Sequence, residues 1–283
     1  MSAAMNHVLV VPAKNSKSAA AQPFNEQTQA TTMEKRFACT ACGMCCYGSV
    51  PLTVGEALAM ADRFPLALSI SPVKSGARGQ SVVERIGVSI QILSRKRVSF
   101  VATPMSFVPP FMACPALRDD RLCGIHANKP VRCRAMPFYA FKDEDSQADM
   151  LVPRKGWLCE TGPDAPVVYQ GRKLVDRADF DRERTALIDQ AAQLQRHIDL
   201  LLQHNPALLA RLTKAAQAPL GGRVAVGFLA FLRYDRTVDL LAFAKQQYPV
   251  LESWIARTDD DVRAAEFNRF YRQALFEMER FAR

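Results

Sequence analysis

From Asp176 to the C-terminus, apolar residues recur at three- and four-residue steps: Phe180, Leu187, Ile188, Ala191, Leu194, Ile198, Leu201 and Leu202. That spacing lines one face of a 3.6-residue helix and predicts a long amphipathic helix. Asn205-Pro206 then supplies an N-cap and a first-turn proline, which predicts a second helix through Leu208, Leu209 and Leu212, closed by Gly221-Gly222. A third helix is expected from about Val238, interrupted or kinked at Tyr248-Pro249. A fourth carries Val262, Phe267, Phe270, Tyr271, Ala274, Leu275 and Met278 on one face.

The pattern upstream is different. Residues 35–175 have only short regular stretches between turn signals. Thr53-Val54-Gly55-Glu56 has capping-box spacing, with Thr53 closing the first turn and Glu56 reaching back, and predicts a short helix from Glu56 to Arg63. Val82 to Leu93 and Arg97 to Thr103 alternate apolar and polar positions around Ser94-Arg95-Lys96, which predicts a β-hairpin. Residues 1–34, rich in Ala, Ser, Thr, Gln and Asn, have no sustained period and are expected to form a mobile tail. No internal repeat of solenoid length is present.

With 49% apolar and 23% charged residues, the 283-residue chain can bury a sizeable core. Its longest apolar run, Val224 to Leu232, is far below the ~20 residues of a membrane span. No leader-like segment opens the chain, so the expected setting is the cytoplasm, without a membrane partner. The net charge of +9 is concentrated in residues 35–175, which hold 19 basic and 11 acidic residues. All eight cysteines lie there too, and thiolates bound to a metal would add negative charge where the basic excess is greatest. A nucleic-acid footprint would need clustered Lys and Arg with interleaved aromatics, and only Arg95-Lys96-Arg97 clusters tightly. Nucleic acid is therefore not an expected partner.

The strongest chemical signal is Cys39-Thr40-Ala41-Cys42-Gly43-Met44-Cys45-Cys46, four thiols within eight residues. Two residues between cysteines let the chain turn so that both sulfurs face one centre, with backbone N–H groups aimed at the thiolates. Three such sulfurs suit three corners of an iron–sulfur cubane that takes a remote Cys-Pro cysteine as its fourth ligand, and Cys114-Pro115 offers one. Cys123, Cys133 and Cys159 also lie in turn-like contexts. Eight thiols allow two four-thiolate sites, or one site and a reactive pair. Adjacent Cys45 and Cys46 are expected to diverge to different partners, since a bond between them would strain the backbone. Zinc and iron–sulfur chemistry are both served by four sulfurs. A disulfide scaffold fits small secreted chains better than one with a core-forming helical half.

His126, between Cys123 and Cys133, is read as packed or hydrogen-bonded to a thiolate rather than as a ligand, and Arg132 and Arg134 as charge compensation around Cys133. His7, His197 and His204, and the acidic runs Asp119-Asp120 and Asp143-Glu144-Asp145, are read as structural or solvated. Neither a Ser-His-Asp pattern nor a phosphate-binding glycine loop is recognisable.

Over residues 35–160 the chain resembles the YkgJ-like cysteine cluster proteins, described as zinc- or iron-chelating and marked by a CxxCxxCC signature. The resemblance rests on Phe37 before Cys39, Cys42, Cys45 and Cys46, on Leu52 to Ala57, on Cys114-Pro115, on the run from Cys123 to Pro137 around Cys133, and on Cys159 as the last cysteine. His126 stands where the family usually has Tyr, Lys129 where it has Arg, and Met136 where it has Phe. The flagellin lysine N-methylase family carries the same signature and an iron–sulfur cluster, and by analogy implies methyl transfer as an alternative.

Taken together, the residues predict an α+β protein: a mobile tail (1–34), an irregular cysteine domain organised by metal and containing a small β-hairpin (35–175), and an α-helical region (176–283) that packs on it or forms its own bundle. The expected ligands are Cys39, Cys42, Cys45, Cys46, Cys114, Cys123, Cys133 and Cys159, holding zinc or an iron–sulfur cluster of the [4Fe–4S] kind. The centre's role is structural or redox, and a zinc-stapled surface for a protein partner is the other alternative.

Overall fold

The computed structural model describes residues 10–11, 34–74, 76, 79–219 and 221–282. Before the long helices it places strands β1 (Val10–Val11), β2 (Lys35–Arg36) and β3 (Val50–Pro51), helix α1 (Val54–Ala59) and strand β4 (Leu66–Pro72). Helix α2 (Gln80–Ile86), strands β5 (Val88–Gln91) and β6 (Arg97–Ser106), and the single-turn helix α3 (Val131–Arg134) follow. After β7 (Val167–Gln170) and β8 (Lys173–Leu174) come α4 (Ala178–Gln203), α5 (Pro206–Gln217), β9 (Arg223–Gly227), α6 (Phe228–Leu232), α7 (Leu240–Thr258) and α8 (Ala265–Ala282). Helices and antiparallel sheets are both present, an α+β composition. Among the described residues, no helix is long and apolar enough to cross a membrane. The tail expected over 1–34 lies outside the described residues, apart from Glu34 and Val10–Val11.

The centre is a six-stranded antiparallel sheet in the order β1, β9, β4, β6, β3, with β5 also paired to β6. Strand β4 runs beside β6 from Leu66 opposite Ser106 to Pro72 opposite Phe100, and beside β9 from Ala67 opposite Gly227 to Ile70 opposite Val224. Leu66 to Ile70 are all buried, so both faces of β4 are covered and no alternation marks it in sequence. The main core joins Leu52, Leu68 and Phe100 to Ile198, Leu212, Phe231, Trp254 and Tyr271, so residues on both sides of 176 share one interior. A second cluster gathers Val82, Ile86, Ala140, Leu151, Tyr169, Leu174, Phe180 and Leu187 beside the small sheet β2, β7, β8.

Several expected elements are present. Thr53 and Glu56 form the reciprocal capping box of α1. Asn205 caps α5 with Pro206 in the first turn. The hairpin is present as β5 and β6, but Val82 to Ile86, expected as strand, is helical in α2: Val82, Val83 and Ile86 bury one helical face instead of alternating. At Pro249, expected to interrupt or kink the helix, α7 runs on without interruption. Pro249 lies on the exposed side of the helix, as does Lys245, whose carbonyl it cannot serve as a donor. The hairpin is a small part of a sheet that also recruits β9 from the helical region.

Helix α4 positions the site from behind through polar side chains on its inward face. Gln190 accepts from the Val54 amide at 2.9 Å, and Gln195 from the Ser89 amide at 2.8 Å. Glu183 binds Arg132, the residue before Cys133.

Candidate metal centre

The eight cysteines sit on five stretches of chain, around 39–46, 114, 123, 133 and 159, most of them joined by backbone hydrogen bonds, and all eight are free thiols. The first segment, after β2, is tied to residues 158–160. Ala38 and Glu160 exchange backbone hydrogen bonds of 2.8 and 3.0 Å, and Thr40 Oγ1 donates to the Leu158 carbonyl at 3.0 Å. Cys39 is thereby set beside Cys159. Further along, the Cys114 amide donates to the Cys46 carbonyl at 2.8 Å, next to an antiparallel bridge between Tyr47 and Ala113. Leu117 turns back on Cys114 and bridges Cys123, which brings the third segment in.

Cys133 comes from α3. The Cys133 amide donates to the Pro130 carbonyl at 2.8 Å, and Glu56 accepts from the Val131 amide at 2.7 Å while its other oxygen closes the capping box. One carboxylate therefore fixes the starts of two helices, α1 and the one carrying Cys133. Gly43 supplies the left-handed backbone (φ +73°) that turns the chain between Cys42 and Cys45. A Cβ there would meet the Arg121 carbonyl oxygen at 3.1 Å.

Backbone amides approach sulfur with a repeated geometry. The Ala41 amide donates to Cys39 Sγ at 3.4 Å. The amides of Met44 and Leu158 hold the Cys42 thiol below its ordinary value. At Cys114 burial wins and pushes the thiol up, against the pull of the amides of Ala116 and Leu117. At Cys39 the amide two residues ahead donates to the sulfur, and at Cys42 and Cys114 the amides of Met44 and Ala116 pull in the same direction, favouring a thiolate over a thiol.

The thiols also act on one another. A hydrogen bond to Cys46 and partial desolvation drive the Cys45 thiol well up, and the same bond lowers Cys46. Burial, with the nearby charges of Cys114, Cys45 and Cys123, pushes Cys133 up to about 12. Burial also raises Cys159, helped by Cys42 and Cys39. Such groups repel one another when ionised, and a cation among them removes that cost.

All eight expected ligands lie in this region, and the first loop has a remote cysteine near each of its ends. Cys114 is tied to Cys46, whereas Cys159 is the remote cysteine beside Cys39. Among the described residues, no three His, Cys, Asp or Glu side chains are arranged to hold a metal ion. The assembly is one of neighbouring thiols, not a formed coordination shell.

Of the expected accessory groups, His126 is exposed. Arg134 is turned away to the carbonyls of Lys129 and Ala127. Arg132 lowers the Cys133 thiol, yet its guanidinium is claimed by Glu183, with Nη1 at 2.9 and 3.1 Å from the two carboxylate oxygens. Lys129 is the cation beside Cys45. Glu183 was not foreseen, although its place in the buried stripe between Phe180 and Leu187 is a readable anomaly. Thr40 had no signal in the sequence. Compared with protein-family models, curated proteins and solved structures, the chain matches none of them.

Proposed function

We propose that this protein binds a metal, zinc or an iron–sulfur cluster, through its eight cysteines, and that the metal organises the loops between β2 and β7. The observation that carries this reading is the gathering of eight free thiols on loops tied together by backbone hydrogen bonds, with the Ala41 amide donating to Cys39 Sγ at 3.4 Å. Peptide dipoles placed this way are useful to a ligating thiolate and of little use to a buried neutral thiol. In chemical type the donor set suits zinc or a cluster, since the ligands on offer are free thiols. The resemblance to the YkgJ-like proteins over 35–160 points the same way. A bound zinc would cross-link the loops, and an iron–sulfur cluster would add electron transfer. The chain's own residues hold the sulfurs in place, lower Cys42 by amide contacts, and set Lys129 and Arg132 against the thiolate charge.

The test is anaerobic purification followed by elemental analysis and visible spectroscopy. Stoichiometric zinc in colourless protein, or iron and sulfide with broad absorption near ~400 nm from thiolate-to-iron charge transfer, supports the proposal and names the metal. Protein with eight titratable thiols that takes up neither refutes it.

A further inference from the structure

We infer that Cys39 and Cys159 are the two halves of a reversible disulfide, a modification site at which a small-molecule disulfide such as oxidised glutathione closes one end of the cysteine loops. The pairing goes beyond metal binding and does not depend on it, because it rests on the backbone register between two segments.

Ala38 and Glu160 are directly opposed in an antiparallel bridge and exchange both of their backbone hydrogen bonds, at 2.8 and 3.0 Å. In an antiparallel pair, positions that exchange two hydrogen bonds alternate with positions that exchange none. One step along the register, Cys39 therefore faces Cys159 at a position of the second kind, where Cα atoms lie about 4.5 Å apart and the side chains are closest. The opposition holds for a further step, since Thr40 Oγ1 donates to the Leu158 carbonyl at 3.0 Å. A separation of about 4.5 Å falls inside the span that a disulfide bridges, roughly 4.4–6.8 Å between Cα atoms. In the reduced protein Cys39 Sγ accepts from the Ala41 amide at 3.4 Å, and a turn about χ1 aims it across the pair instead.

Cys46 and Cys114 also face each other, one step from the bridge between Tyr47 and Ala113, and the Cys114 amide donates to the Cys46 carbonyl at 2.8 Å. That is the hydrogen-bonded kind of position, with Cα atoms about 5.5 Å apart and the side chains further from each other. Access separates the two pairs as well. Cys39 is exposed, whereas Cys46 and Cys114 are both half-buried, and Cys114 packs against the main core.

The chemistry is thiol–disulfide exchange. Cys39, the more accessible sulfur, gives up its proton and attacks one sulfur of oxidised glutathione, whose S–S bond breaks and releases one glutathione thiolate. Cys159, deprotonated in turn, attacks Cys39 Sγ, the bond from Cys39 to glutathione breaks, and a second glutathione leaves. The protein dithiol has then lost two electrons and two protons, and one glutathione disulfide has become two glutathione thiols. The new bond ties the segment after β2 to the one before β7 and withdraws two sulfurs from metal ligation.

The experiment exposes reduced, metal-stripped full-length protein to graded mixtures of glutathione and its disulfide, quenches with acid and an alkylating agent, and maps linked peptides by mass spectrometry without reduction. The first disulfide to accumulate should join Cys39 to Cys159, with two thiols lost together, and dithiothreitol should restore all eight. Cys159→Ser should instead retain one glutathione on Cys39, because the sulfur that displaces it is gone. Cys46→Ser should leave the bond between Cys39 and Cys159 unaffected. A first disulfide joining Cys42 to Cys159 or Cys46 to Cys114, no disulfide while circular dichroism shows folded protein, or Cys159→Ser without glutathione on Cys39 overturns the proposal. Zinc and iron uptake by the reduced protein is measured in parallel. Protein that links Cys39 to Cys159 but takes up neither metal refutes the metal-binding reading alone, and protein that binds zinc but links another pair refutes this one alone.

Discussion

Arg132→Met is the most informative single perturbation of the scaffold behind the site. Arg132 and Glu183 have side chains 7% and 1% exposed, and they meet through two contacts of 2.9 and 3.1 Å. Arg132 also donates to the Phe138 carbonyl and lies 5.1 Å over the Tyr139 ring. Removing one partner of a buried pair costs about 3–5 kcal/mol, because the other charge is left uncompensated. Loss of the Phe138 bond adds about 1 kcal/mol. At about 2–4 °C per kcal/mol for a chain of this size, a loss of about 4 kcal/mol lowers Tm by about 10 °C. Burial already pushes the Glu183 carboxyl up to about 7, against the pull of Arg132. Without the guanidinium it rises further, so the deficit of the variant grows as pH climbs through about 7, where Glu183 ionises in the parent protein but stays protonated in the variant, and shrinks below it. Thermal and urea unfolding of both proteins at pH 6 and 8, at equal metal content, measure this. Arg132→Met combined with Glu183→Leu should recover most of the loss, since neither charge is then stranded. A deficit below about 1 kcal/mol at pH 8, a deficit larger at pH 6 than at pH 8, or a double variant no better than the single one refutes the reasoning.

Gln247 is fully buried, accepts from the Leu66 amide at 2.7 Å and donates to the carbonyls of Ala61 and Phe64. Gln247→Met should therefore cost about 3 kcal/mol in urea unfolding, with exposed Gln246→Met near zero as its control. Gly43→Ala forces an L-residue into a left-handed turn at a cost of ~1–2 kcal/mol, and should weaken zinc binding about tenfold in a chelator competition. Unchanged affinity would show that the 42–45 turn relaxes freely. Arg95, Lys96 and Arg97 are exposed at the β5–β6 turn but offer few phosphate contacts. Mixed DNA should bind weakly at physiological salt in a filter or polarisation assay, and tight binding abolished by Arg95→Ala with Lys96→Ala would reverse that expectation.

What the sequence revealed follows from which interactions are local. Helices α4, α5 and α8 are legible because each buries one stripe against a core, and α5 also starts with recognisable chemistry at Asn205. Strand β4 is buried on both faces, so Leu66 to Ile70 has no period to read, and its assignment depends on partners about thirty and more than 150 residues away. The apolar run Val224 to Leu232 divides at Gly227 into β9 and α6, a change of period too short to register on either side. Val82 to Ile86 fits a helix face as well as a strand, and packing beside α4 and the second core selects the helix. At the site, residue types and the CxxCxxCC spacing were visible, but the bridges from 38 to 160 and from 47 to 113 depend on tertiary folding. Spacing therefore pointed to Cys114 as a neighbour of the first loop, which the fold places beside Cys46, but gave no sign that Cys159 neighbours the loop's other end.

The place of β9 in the central sheet also governs how the chain can be made. Ile70 of β4 waits for Val224, some 150 residues further along, before that edge is paired. At a synthesis rate of about 5–20 residues per second, the interval is ~8–30 s. Throughout it the nascent chain holds an apolar strand with an open row of amides and carbonyls, the kind of edge that recruits strands from neighbouring chains. Proline at position 72, at the end of β4, shortens the usable edge but does not close it. Yield in a cell should thus depend on how quickly residues 223–227 reach the sheet, and slow translation across α4 and α5 would favour aggregates over folded protein.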